Sequence, residues 1–194
     1  NSGSIISTLW FWTNQNEVTA QQGSGYDGNN YATTNLSGSN SATYVGPSNG
    51  SENTNLRPKR YIKVSQGFIV QAKINGGKLN FTNALRSNSS LSNFYNKQIE
   101  EDDENNKDRY WLKLISPQNI VNTILVAYVD GATNNYEDGY DADLMVVGSD
   151  SFYSVLGAHK LQIQGRKLGL DLDDVVALGN KHYVAGKNTI ALDD

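Results

Sequence analysis

The sequence predicts an all-β fold: an antiparallel β-sandwich or jelly-roll-like module with long loops. Three observations carry this. Glycine, asparagine and serine are abundant, with 18 glycines against one methionine, a balance that favours turns and strands over helix. Apolar runs are strand-sized and separated by turn residues at short spacing. No apolar stripe of helical period and useful length competes with them. The 194 residues suit one module spanning 1–194.

The elements follow in chain order. Residues 5–13 (IISTLWFWT) are β-branched and aromatic without a helix cap, and read as a strand buried on at least one face. Residues 14–58 are too polar to supply a core layer and read as one long loop. Its Tyr26, Tyr31 and Tyr44 are candidates for a ligand-binding surface, the alternative being that they only pin the loop. Residues 61–74 and 78–82, joined by Asn75-Gly76-Gly77, read as a hairpin, because Asn-Gly and Gly-Gly accept the positive φ of tight turns. The acidic run at 100–108 repels itself, which makes 96–108 a solvated loop.

A series of strands completes the chain at 110–115, 124–129, 144–147, 152–156, 161–164, 175–178, 182–185 and 189–192. Residues 124–129 are apolar on both faces and belong in a sheet centre. Leu161-Gln162-Ile163-Gln164 alternates, which predicts Leu161 and Ile163 in the core with Gln162 and Gln164 towards water or a partner strand.

Charge and composition bound the function. A formal charge of −4 argues against a broad basic surface, so neither nucleic acid nor membrane insertion is expected. No apolar run reaches the roughly 18 residues of a spanning helix. Cysteine is absent, which removes disulfides, thiolate metal sites and cysteine nucleophiles. The opening at Asn1 without a basic, apolar leader suggests a processed product or an internal fragment.

The most suggestive chemistry is the group Asp130, Asn134, Asp138, Asp141 and Asp143, crowded around glycines between strands. Calcium takes oxygen ligands from loops of this kind, although the spacing is not that of an EF-hand. The competing reading is structural: aspartate and asparagine close Asx-turns on their own backbone. Asp138 and Asp141 as a glycosidase acid/base pair is too common a pattern to carry weight. His159 and His182 lack zinc spacing, and neither a Gly-x-Ser-x-Gly elbow nor a phosphate-cradling loop occurs. Trp10, Trp12 and Trp111 would stack on sugars if exposed; Trp10 and Trp12 share one strand face, which points to the core. No catalytic residue is assigned, and an enzyme is not expected.

Residues 9–13 (LWFWT), 66–70 (QGFIV) and 79–86 (LNFTNALR) resemble a module common in large secreted proteins of Bacteroidetes, especially flavobacteria. Residues 128–134 (YVDGATN), 138–142 (DGYDA), 152–154 (FYS), 161–166 (LQIQGR) and 174–179 (DVVALG) continue the resemblance in the same order, with Ala177 where that family often has proline. The resemblance implies an extracellular or cell-surface location, upstream of a type IX secretion sorting segment, with the parent chain and the secretion machinery as partners. The function expected is therefore a non-catalytic binding or adhesion module for a glycan or protein. A structural spacer or stalk without its own ligand is the alternative, and a glycoside-active enzyme ranks below both.

Overall fold

The computed structural model describes residues 4–13, 31–45, 57–59, 61–87, 94–95, 108–145, 150–182 and 184–193. These residues form an all-β structure whose only helical element is a 3-10 turn at Asn83–Leu85. A small antiparallel sheet contains β1 (Leu9–Trp12), β2 (Tyr31–Thr34) and β3 (Ser39–Asn40) in that order. A larger, curled sheet contains β4 (Tyr44–Val45), β5 (Asp108–Ile115), β6 (Ile120–Val129), β7 (Ala142–Asp143), β8 (Ser151–Leu156), β9 (His159–Lys167), β10 (Ala177–Lys181) and β11 (Thr189–Asp193). Its order is β10-β8-β9-β6-β5-β11, with β4 beside β6 and β7 beside β9. The β6–β9 pair is parallel, so the larger sheet is mixed, while its other pairings are antiparallel as expected.

β6 organises the molecule. All ten of its residues are buried, as its two apolar faces require. Leu125, Ala127 and Val129 cluster with Ala132, Ala142 and Ile163, while Ile124 packs with Leu114 and Phe152. A tight turn connects β5 to β6: Ser116 Oγ accepts the N–H of Ile120 at 3.1 Å, and Asn119 takes the left-handed conformation at φ 60°.

β9 departs from simple alternation. Ala142 of β7 pairs with Ile163, but Asp143 pairs with Leu161, so Gln162 is the extra residue of a bulge. Leu161 and Ile163 are both fully buried, as expected. Gln162 and Gln164 do not face water but are buried too, the other side of the expectation, because sheet and connections cover both faces of β9. Gln162 lies against the small sheet, where its Oε1 accepts the Thr33 hydroxyl.

Two further expectations are corrected. Residues 14–58 are not one loop: β2, β3 and β4 lie within them, with Ala32, Thr33, Asn40, Ala42 and Tyr44 buried. Residues 61–82 form no hairpin. Residues 69–73 instead run antiparallel to 4–10, through bridges Ile5 to Ala72 and Trp10 to Ile69. Most of the acidic stretch 96–108 lies outside the described residues; Asp108 opens β5.

The seam between the sheets is polar. Asn40 Nδ2 donates to the Thr123 carbonyl at 2.6 Å, Ser41 and Thr123 share hydroxyls at 2.8 Å, and Ser37 Oγ donates to the Tyr140 carbonyl at 2.7 Å. Hydroxyl and amide side chains thus do part of the work of oil here, which is why a stretch rich in Ser, Thr and Asn conceals strands.

Candidate functional site

β1 presents different chemistry on its two faces because its side chains alternate. Leu9 and Phe11 face an aromatic cluster, with Phe11 5.8 Å from Tyr95 and 6.3 Å from Phe68 between ring centroids. Trp10 and Trp12 take the opposite face. Trp10, paired in register with Thr33, is buried at the seam. Trp12, two residues on, emerges at the rim of the sheet with 41% of its surface exposed, directly across from the part-buried Tyr31.

This placement divides the sequence-derived aromatic candidates. Tyr31 reaches the surface in part. Tyr44 is buried in β4, and burial pushes its phenol up to about 12, with Asp193 reinforcing and Arg57 opposing the shift. Tyr26 lies outside the described residues. Trp12, which the sequence reading placed in the core with Trp10, is the addition. Its position at the end of the apolar run, next to the polar stretch that follows, was the available signal.

The five oxygen-bearing residues are dispersed around the 130–143 connection. Asp130 is exposed at the end of β6. Asn134 Oδ1 accepts the N–H of Lys167 at 3.2 Å, and Asp138 pairs with Lys73 at 2.6 Å. Asp141 is fully buried and accepts the N–H groups of Glu137 at 2.7 Å and Gly165 at 3.0 Å. Asp143 accepts the Tyr136 hydroxyl at 2.8 Å and contacts His159 Nδ1 at 3.0 Å, with the Tyr136 ring stacked on the imidazole at 3.7 Å. Burial, followed by the Asp143 hydrogen bond, raises the Tyr136 phenol.

Each inward carboxylate therefore faces a donor or a cation rather than its neighbours. Among the described residues no group of three or more His, Asp or Glu is arranged to hold a metal ion. The donor set as placed does not fit a calcium cage, which needs six to eight converging oxygens; it fits a connection closed by its own side chains. The second histidine, His182, contacts Asp150 at 2.8 Å and is largely buried.

Two ion-pair clusters escaped the sequence reading. Asp193 of β11 joins Arg57 at 2.6 Å and Lys113 at 3.1 Å, with the Arg57 guanidinium 4.1 Å over the Trp111 ring. Asp174 accepts Arg166 Nε at 2.7 Å and the Tyr128 hydroxyl at 2.8 Å. Arg57, Lys113 and Tyr128 lie 136, 80 and 46 residues from their carboxylates, too far for spacing to reveal them, whereas Arg166 is eight residues from Asp174 across a turn that spacing alone does not close.

The whole chain, residues 1–194, matches the model of a family described as Domain of unknown function (DUF8693). No curated protein and no solved structure matches it.

Proposed function

We propose, from the premise that the chain belongs to the DUF8693 family, that it is an extracellular, non-catalytic module of a larger secreted or surface protein, holding a glycan or protein ligand at the rim of its small sheet. The observation that carries this reading is the half-exposed Trp12 set across from Tyr31. Tryptophan and tyrosine offer large, rigid, amphipathic contact area at low entropic cost, and such residues dominate binding surfaces. The hydrogen-bonded register of the strand pair sets the two residues opposite each other before any ligand arrives. The extracellular placement and the link to a parent chain and its secretion machinery follow the resemblance to flavobacterial modules.

A glycan array probed with the wild-type chain and with Trp12→Ala tests the reading. A ligand is expected whose affinity falls about tenfold or more on removing the indole, a loss of roughly 1.4 kcal/mol or above, while circular dichroism stays unchanged. An array hit that Trp12→Ala leaves intact places binding elsewhere. Absence of any hit, followed by no titratable protein partner, leaves the spacer as the function.

A further inference from the structure

The larger sheet ends on two edge strands, β10 and β11, and their free edges differ. β10 carries devices that keep an edge from recruiting another strand. Lys181 closes it with a charge, and the Tyr153 ring lies against Gly179, so closely that a Cβ there would fall 2.4 Å from Tyr153 Cε2. β11 carries none of them. Thr189–Asp193 pairs with β5 residue for residue, without a bulge, proline, glycine or lysine, and no described residue pairs with its other side. Its single charge, Asp193, is turned to Arg57 and Lys113 and neutralised there.

The apolar face of β11 is unfinished at the same edge. Ile190 stands opposite Leu114 and Leu192 opposite Leu112, which puts both on the sheet face where Leu114 packs with Ile124 and Phe152. Leu114 is buried, yet Ile190 is 52% and Leu192 63% exposed. The core cluster therefore runs out to the edge and stops there in water. The strand is also complementary to itself. Antiparallel partners share a face, so a two-fold axis normal to the sheet must pass through a residue. An axis through Ala191 sets Ile190 opposite Leu192 of a second copy in both directions, Thr189 opposite Asp193, and the small alanine opposite itself. The two Asp193 carboxylates then lie about 13 Å apart along the strands, beyond the screening length of roughly 8 Å. Moving the axis to Ile190 or Leu192 leaves one of the two apolar side chains facing Asn188 or Asp194.

We propose that β11 of one copy pairs antiparallel with β11 of a second copy about a two-fold axis through Ala191, joining the two larger sheets edge to edge. The contact is isologous and occupies the β11 edge of both copies, so it closes at two and does not propagate. The outward N–H and C=O groups of β11 gain partners, and Ile190 and Leu192 become cross-strand pairs that carry the apolar cluster from one copy into the next. One strand pair is a small interface, so the dimer is weak and its population rises with concentration. The inference stands apart from the ligand at Trp12, which belongs to the small sheet.

The chain has no cysteine, so an introduced one reports the register directly. Ala191→Cys is expected to give a disulfide-linked dimer on mild oxidation, because the axis brings position 191 of both copies within the Cα separation of about 5.5 Å of an antiparallel pair. Thr189→Cys, whose two copies would lie about 13 Å apart, is expected not to cross-link. Sedimentation velocity of the 194-residue chain up to about 1 mM is expected to show a wild-type dimer. Ile190→Lys/Leu192→Lys and Ile190→Glu/Leu192→Glu set like charges opposite each other; each is expected to remain folded by circular dichroism and to lose about tenfold or more in association constant. Mixing the two in equal amounts is expected to restore a dimer, since every such pair then joins opposite charges, and misfolding would not be rescued in this way. Wild type that stays monomeric at about 1 mM, cross-linking at position 189 as ready as at 191, or a mixture that stays monomeric overturns the proposal. Addition of an extended peptide to β11 of a strictly monomeric chain overturns it as well.

Discussion

Asp141 is fully buried, and each of its carboxylate oxygens accepts a backbone N–H. Burial pushes its pKa up to about 6; the two N–H bonds oppose the shift, and Glu137 and Asp143 add to it. The folded chain therefore keeps a proton on Asp141 at pH values where the unfolded chain, with a carboxyl near 3.9, has lost it. The stabilisation from this group is complete below about pH 4 and is lost as pH rises through about 6, a change on the order of 3 kcal/mol. Asp141→Asn cannot titrate, so the melting temperature of wild type minus that of the variant is expected to fall from pH 5 to pH 7 in calorimetry; a constant difference would contradict the shift. Asp174 has the opposite sign. Burial raises it, but the hydrogen bonds from Arg166 and Tyr128 and the Arg166 charge outweigh burial and hold it below the usual range. Asp174→Asn is expected to destabilise the chain at neutral pH, with the penalty shrinking as pH falls through the carboxylate range.

At the scale of elements, β6 and β9 show how much the sequence disclosed. An apolar run on both faces identified β6 as central, because only a strand covered twice tolerates Ile, Leu and Val at successive positions. The core residues Leu161 and Ile163 were also legible, and Ile163→Ala is expected to cost about 2–5 kcal/mol in chemical denaturation. What alternation could not show is the bulge at Gln162, since an inserted residue leaves no compositional trace. Nor did polarity reveal β2 and β3: Thr33 and Asn40 are buried against Gln162 and Thr123, partners far away in sequence. The 75–77 turn signal was real, as the Lys73–Gly76 turn shows, but residues 69–73 pair with 4–10 across the small sheet instead of with 78–82. Gly165 marks where β9 meets the 137–141 connection. A Cβ there would lie 2.5 Å from Tyr140 Cβ and 3.0 Å from its carbonyl oxygen, so backbone would have to move. Gly165→Ala is expected to cost about 1–3 kcal/mol by overpacking, and a neutral substitution would mean that this connection yields freely.

At the scale of the whole molecule, the two sheets are joined by a seam of hydroxyls and amides as well as by oil, and the rim that displays Trp12 is only as rigid as that seam. Buried polar contacts are asymmetric in energy. Each adds little net stability when made, but leaving one partner orphaned costs about 1–3 kcal/mol. Ser41 and Thr123 are both buried and share a 2.8 Å hydroxyl contact across the seam. Thr123→Val keeps shape and the carbonyl that Asn40 uses, but strands the Ser41 hydroxyl; Ser41→Ala strands that of Thr123. Each single change is expected to cost about 1–3 kcal/mol, and the double change less than the sum by about 0.5–3 kcal/mol, because no orphan remains. Urea denaturation of all four proteins closes the cycle. Strict additivity would show that the two hydroxyls find other partners and that the seam is not what fixes one sheet on the other, in which case Thr123→Val would leave the binding proposed at Trp12 untouched. Coupling of the expected size, accompanied by weaker binding at the rim, would tie the pairing of Ser41 with Thr123 to the placement of Trp12 and Tyr31 on the small sheet.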